Sequence, residues 1–164
     1  IFFWIGKDLK ALVPEMKAFW PEAKGKIHID AWQKITQVED YTIEVVSKET
    51  EVEGSEKLFF LNLGGYKEGD FEEYHYKVLV VAKTKSEAIK KAKKTTFFQH
   101  VGFKGGGETH IDDKYGVDVD DIHKIDDILD VQYKLNYQLK ITKTDTLSTD
   151  EKHIGYIALT KLKK

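Results

Sequence analysis

Residues 41–45 read Tyr-Thr-Ile-Glu-Val, and residues 137–141 read Tyr-Gln-Leu-Lys-Ile. In both stretches apolar and polar side chains alternate, which is the pattern of a β-strand with one buried face. A second pair of matching runs follows, Leu-Phe-Phe-Leu-Asn-Leu at 58–63 and Ile-Gly-Tyr-Ile-Ala-Leu at 154–159. Both pairs have the same separation along the chain, so the sequence predicts that one two-strand pattern occurs twice.

The match extends upstream of each strand pair. The apolar runs at 1–5 and 78–82 each precede a stretch with helical spacing, and each helical stretch ends in two aromatic residues. The triplet His28-Ile29-Asp30 then recurs as His110-Ile111-Asp112. Because self-similarity in a constant order indicates a repeated structural unit, the sequence predicts two diverged copies of one β-α-β-β unit.

These features predict an α+β fold made of two pseudo-repeated β-α-β-β units, with mainly antiparallel sheet and the helices packed on one side. We expect the first unit to span residues 1–70 and the second to span residues 71–164, both within one compact structural domain. The sequence opens inside the apolar run Ile1–Ile5. The first unit is therefore expected to lack its opening strand and loop.

Three local signals refine the expected elements. Pro14 lies inside the apolar stripe of the first helix and should kink that helix or start it afresh. Thr84 and Glu87 have the spacing of a capping box at the start of the second helix. Gly64, Gly65 and Gly69 in the segment 64–76 predict a long loop that joins two antiparallel strands.

Composition excludes several classes of protein. The 164 residues carry 26 basic and 28 acidic side chains, a net charge of −2 that gives no general basis for binding nucleic acid or an anionic membrane. The absence of cysteine excludes disulfides, thiolate-bound metals and cysteine nucleophiles. No apolar run approaches the roughly 20 residues that cross a bilayer. We expect a cytoplasmic protein without a nucleic-acid or membrane partner, and no cofactor is evident.

A set of short motifs supports a family resemblance. The motifs are Leu-Gly-Gly-Tyr at 63–66, Glu73-x-His75, the strand–helix junction at 83–88, His-Ile-Asp-Ala-Trp at 28–32 and His-Ile-Asp-Asp at 110–113. Together they resemble the bacterial family DUF1543, a domain of unknown function. The resemblance implies tandem copies of the unit, each opening with a strand that ends in Leu-Gly-Gly and a Glu-x-His loop. It implies no activity, substrate or catalytic residue.

The His-x-Asp pairs are the first candidate site. Residues i and i+2 of an extended segment share a face, so His28 can meet Asp30, and His110 can meet Asp112. A carboxylate beside an imidazole can orient a general base or complete a metal site. The alternative is that each histidine braces its repeat through a hydrogen bond, because a repeated fold needs the same brace twice.

A second candidate site is Glu73 with His75, which have the same spacing at the entry of a strand and lie beside two tyrosines. They could form an aromatic-walled pocket, or they could belong to a solvated loop. The glycine loop at 102–107 fails the phosphate-binding patterns, and the acidic run at 108–130 lacks the ligand spacing of a calcium loop. We interpret them as an insertion and a solvated face.

Two functions remain open on the sequence. The first is a non-enzymatic module that binds a protein partner or assembles as a homo-oligomer. The alternative is a small-ligand or metal-binding protein, possibly hydrolytic, whose candidate residues are His28, Asp30, Glu73, His75, His110 and Asp112. The sequence does not decide whether the protein is an enzyme.

Overall fold

The computed structural model describes residues 1–66, 71–100, 118–146 and 148–163, and in these ranges it contains eight strands and four α-helices. The strands are β1 (His28–Gln33), β2 (Gln37–Val38), β3 (Tyr41–Ser47), β4 (Lys57–Tyr66), β5 (Glu73–Ala82), β6 (Asp118–Lys124), β7 (Tyr137–Lys143) and β8 (Lys152–Ala158). The α-helices are α1 (Val13–Phe19), α2 (Lys85–His100), α3 (Ile125–Ile128) and α4 (Val131–Asn136).

The described strands form three antiparallel sheets, in the orders β5-β4-β6, β2-β3-β7 and β1-β8. The predicted α+β class with mainly antiparallel sheet is confirmed. The placement of the helices differs from the expectation of one sheet covered on one side. Helix α2 packs on the β4 sheet, whereas α1 shares a core cluster with residues of β1 and with Leu159.

Strand β4 is buried on both faces over most of its length. On one face, Phe59, Leu61 and Leu63 pack under α2, where Ala88 and Ala92 are fully buried and allow the helix to approach closely. On the other face, Leu58 and Phe60 join a cluster that includes buried residues of β2, β3 and α3. Burying a large apolar side chain stabilises a fold by about 1.5–3 kcal/mol, so β4 anchors two clusters.

The helix signals in the sequence agree with the structure. Residues Lys10–Leu12 form a 3-10 turn, and α1 begins at Val13 with Pro14 in its first turn, where a missing N–H costs no hydrogen bond. At α2 the Thr84 hydroxyl accepts from the Glu87 amide at 3.2 Å, and the Glu87 carboxylate accepts from the Lys83 amide at 3.0 Å. No helix within the described ranges has the length and apolar character to cross a membrane.

Two expectations about local structure were wrong, and one strand was not predicted. Residues Ile1–Ile5 form no strand, because their side chains pack as an irregular apolar segment against the core clusters. The segment 64–76 is not a loop throughout, since β4 and β5 continue into it and Tyr66 pairs with Glu73. Part of the acidic run forms β6, which pairs with β4 and completes the sheet.

Asp150 connects the loop before β8 to the start of β2. Its carboxylate accepts hydrogen bonds from the Thr36 amide at 2.6 Å, the Gln37 amide at 2.9 Å and the Thr36 hydroxyl. Burial alone would raise the pKa of Asp150, but these hydrogen bonds outweigh burial and hold its pKa below the ordinary value. The carboxylate therefore links two sheets in its ionised form.

We predict that Asp150→Ala lowers the free energy of unfolding by about 1–3 kcal/mol at pH 7, because three donors lose a charged acceptor. The folded pKa is lowered, so this contribution is complete above the unfolded pKa of about 3.9 and is lost as the pH falls through the folded pKa. Urea unfolding between pH 7 and pH 3 should show the two proteins converging in stability at acid pH. The exposed Glu49 provides a control, Glu49→Gln, and a constant difference across the pH range would contradict the account.

Candidate functional site

The face of the β4 sheet opposite α2 becomes polar beyond Phe60. Residues that pair directly across antiparallel strands project to the same face. Lys77 of β5 pairs with Asn62 of β4, and Asn62 pairs with Asp121 of β6. Lys77, Asn62 and Asp121 therefore form one line across three strands, which we call the polar row.

Two histidines flank the polar row. His123 of β6 pairs with Phe60, and His75 of β5 pairs with Gly64, so one imidazole lies on each side of the row. The His75 Nε2 is 3.3 Å from Asp120 Oδ2, and the Asn62 amide Nδ2 donates to the same oxygen at 3.4 Å. The carboxylate of Asp120 thus joins His75 to the centre of the row.

Gly64 lets two carboxylates approach the backbone of β4. A Cβ at this position would lie 3.0 Å from Glu73 Oε1 and 3.1 Å from each carboxylate oxygen of Asp120. Asp120 reaches this place because of a register shift in the β4–β6 pairing between Asn62 and Leu63, where β6 has one extra residue. The bulge therefore adds an acidic side chain to this face of the sheet.

The N-terminal segment forms an aromatic wall beside the polar row. Phe2 and Trp4 stack with ring centroids 4.7 Å apart and ring planes 7° apart, and Phe19 contacts Phe2 edge-on at 5.3 Å. Phe3 lies 5.2 Å from Phe60. We call Phe2, Phe3, Trp4 and Phe19 the aromatic wall.

The aromatic wall and the polar row enclose a cleft of about 500 Å³ that opens to solvent. The cleft is lined by all four residues of the aromatic wall, by the three residues of the polar row, and by Ile1, Phe60, His75, His123 and Ile128. A volume of this size accommodates a small organic molecule.

Two buried polar atoms in the described part of the chain lack a protein partner, and both belong to residues that line this cleft. Among the described residues, the buried side-chain atoms without a hydrogen bond are Trp4 Nε1 and Asn62 Oδ1, and both residues line the cleft. One is a donor and the other is an acceptor. Leaving a buried polar group unpaired costs about 1–3 kcal/mol, so native structures rarely keep such groups without a reason.

The sequence candidates divide among several places. His75 lines the cleft, and Glu73 lies beside it over Gly64. His28 and Asp30 lie on β1, where their side chains are 3.4 Å apart and exposed, and His28 stacks on Tyr156. His110 and Asp112 lie outside the described residues. In the described part of the chain, no group of three or more His, Asp or Glu side chains is arranged to hold a metal ion.

Sequence reasoning missed Asn62, Lys77, Asp120, Asp121 and His123. A signal for two of them exists in the strand pairing: Ile29 pairs with Ile157, and Ile122 pairs with Leu61. Leu61 and Ile157 are matched positions in the repeated strand pattern. Ile122 and Ile29 therefore occupy equivalent places beside the repeated strand. The triplet Asp121-Ile122-His123 then corresponds to His28-Ile29-Asp30, with the order of the acid and the histidine reversed.

Tyr76 marks the boundary between the two faces of the sheet. It packs at the edge of the cluster under α2, and burial raises the pKa of its hydroxyl. Its neighbours in β5, His75 and Lys77, point to the cleft face. The alternation of β5 therefore places its titratable histidine and lysine on the open side of the sheet and keeps a neutral tyrosine on the covered side.

Comparison with known protein families matches the first part of the chain. No curated protein and no solved structure matches the chain. Residues 1–45, which include the aromatic wall and the whole of β1, match the model of DUF1543, a Domain of Unknown Function.

Proposed function

We propose that this protein binds a small organic molecule in the cleft between the aromatic wall and the polar row. The observation that carries the proposal is that the two unpaired buried polar atoms, Trp4 Nε1 and Asn62 Oδ1, belong to residues that line the cleft. Because neither atom is exposed to solvent, a ligand with one acceptor and one donor would satisfy both atoms after the two side chains rotate toward the cleft. Small-ligand binding is the alternative function expected from the sequence, but the cleft is lined by a largely different set of residues.

The shape and the lining of the cleft also support binding. Ligand sites are concave, mostly apolar, and supplied with a few polar groups that fix orientation. Here aromatic rings form one side, and the polar row with His75 and His123 forms the other. A carboxylate beside an imidazole, as in the pair Asp120 and His75, can orient the imidazole as a general base, but we assign this pair no reaction.

Self-association is a second candidate function, favoured by strand β8. Among the described residues β8 pairs only with β1, so no other described strand pairs with its second edge. Ile154 is 84% exposed and Tyr156 is 67% exposed on this strand. We propose that β8 pairs with β8 of a second copy, which would extend the two-stranded sheet and cover both side chains.

The predicted tandem organisation belongs to the proposal as well. The alignment of Tyr41 with Tyr137 also aligns Glu44 with Lys140, and these two residues pair with each other in the β3–β7 register. Strand pairing between matched elements in this way supports two related halves around a pseudo-twofold axis. A bacterial origin and a cytoplasmic location remain predictions from the family resemblance and the composition.

We predict that Asn62→Leu abolishes ligand binding in the cleft but leaves stability unchanged or raises it by about 1 kcal/mol. Leucine has a similar volume, and removing a buried acceptor that has no partner offsets the loss of the long 3.4 Å hydrogen bond from the Asn62 amide to Asp120. The measurement pairs chemical denaturation with a fragment screen that follows backbone amide shifts of β4, β5 and β6. The control is Lys57→Gln at the exposed start of β4, which should change neither property.

Fragments that shift only amides remote from the cleft, or that bind the Asn62→Leu protein as well as the wild type, would contradict the proposed site. A loss of stability of several kcal/mol in Asn62→Leu would show that Asn62 has a structural role instead.

For the second candidate, we predict that Ile154→Lys shifts the protein toward monomer, because a charge on an edge strand opposes strand pairing. Light scattering across a concentration series measures the mass, and Lys140→Gln on the central sheet is the control. A wild-type protein that stays monomeric at high concentration would contradict self-association through β8.

A further inference from the structure

The polar row has opposite charges at its two ends. Lys77 lies on β5, Asn62 on β4 and Asp121 on β6, and neighbouring strands are about 4.8 Å apart. Lys77 takes part in none of the salt bridges among the described residues. Its ammonium group is therefore available to a negative group in the cleft.

Acceptors concentrate at the centre of the row and at the end opposite Lys77. Asn62 contributes the unpaired carbonyl oxygen, and Asp121 contributes a carboxylate. The nearest imidazole to Asp121 is that of His123, at 3.9 Å, which is too long for a strong hydrogen bond. A ligand ammonium group carries three donors and could use the Asp121 carboxylate and, after the buried Asn62 amide turns toward the cleft, Asn62 Oδ1 as well.

A ligand with a single charge does not match this row. An anion would pair with Lys77 and leave Asp121 without a counter-charge, and a cation would pair with Asp121 and leave Lys77 without one. Lys77 and Asp121 are two strand spacings apart and the Asp121 side chain is 60% exposed, so a ligand with one charge gains from only one end of the row. A molecule with both charges, separated by a few ångströms, satisfies both ends.

The aromatic wall favours an apolar group on the ligand. Stacked Phe2 and Trp4 with edge-on Phe19 present ring faces and edges suited to an aromatic or large aliphatic group. The cleft thus combines an apolar side, a cationic end and an anionic end.

We propose that the ligand of the cleft is a compact zwitterion with an apolar side chain, the chemistry of a free α-amino acid with an aromatic or large aliphatic side chain. This inference rests on the proposed function and specifies its ligand class. The carboxylate binds Lys77, the ammonium group binds Asn62 Oδ1 and Asp121, and the side chain packs on the aromatic wall.

Calorimetric titration with three probes that share a phenyl group tests the charge requirement. The probes are L-phenylalanine, phenethylamine, which has only the positive charge, and 3-phenylpropionate, which has only the negative charge. We expect L-phenylalanine to bind at least tenfold more tightly than either of the other probes. A probe with one charge that binds as tightly as L-phenylalanine would overturn the zwitterion inference while supporting a small-molecule cleft.

Two variants assign the charges to residues. Lys77→Met should weaken L-phenylalanine and 3-phenylpropionate about tenfold and leave phenethylamine unchanged, and Asp121→Asn should weaken L-phenylalanine and phenethylamine but leave 3-phenylpropionate unchanged. Lys57→Met and Asp127→Asn are matched controls at exposed sites, and thermal melting checks folding. Equal effects of both variants on all three probes, or no binding of L-phenylalanine at millimolar concentration, would overturn the inference. Fragment binding that is lost in Asn62→Leu would still support the cleft in either case.

Discussion

Strand β4 must pair on both edges and be covered on both faces, and the rest of the described structure follows from this constraint. A ten-residue strand between β5 and β6 satisfies its backbone groups in two registers. Its apolar alternation then needs two partners, which are α2 on one face and the β2–β3 region with α3 on the other. On the face opposite α2, the apolar core ends at Phe60. The next residues of β4 on that face are Asn62 and Gly64, so the alternation of the strand places them at the base of the cleft.

Several features that lower stability occur in and beside the cleft. A buried acceptor and a buried donor lack partners, a glycine replaces a side chain in a central strand, and a bulge interrupts the β4–β6 ladder beside it. Each feature is unfavourable alone, since unpaired buried groups cost free energy and glycine weakens strands. The buried acceptor, the glycine and the bulge lie within a few residues of each other in the sequence. Local violations of this kind are expected at functional or strained sites.

Alternation and capping made much of the fold predictable, whereas the site required knowledge of pairing. Alternation at 41–45 and 137–141 identified β3 and β7, the apolar run at 58–63 identified β4, and the capping box identified the start of α2. The irregular packing of Ile1–Ile5 depends on tertiary contacts that no local pattern encodes. The polar row combines three residues from three strands, and Asp120 contributes through a bulge. Only the register brings Lys77, Asn62 and Asp121 together, which is why spacing along the chain identified His75 and missed its neighbours.

The claim that β4 organises the fold and the cleft can be tested by native-state hydrogen exchange measured residue by residue. The account predicts that the amides of residues 59–63 exchange only through global unfolding, with a free energy equal to that from denaturation, because both neighbouring strands must separate first. The amides of β8, with one partner strand among the described residues, should exchange at a lower free energy. Exchange of the β4 amides through local opening, at a free energy no higher than that of β8, would contradict the account.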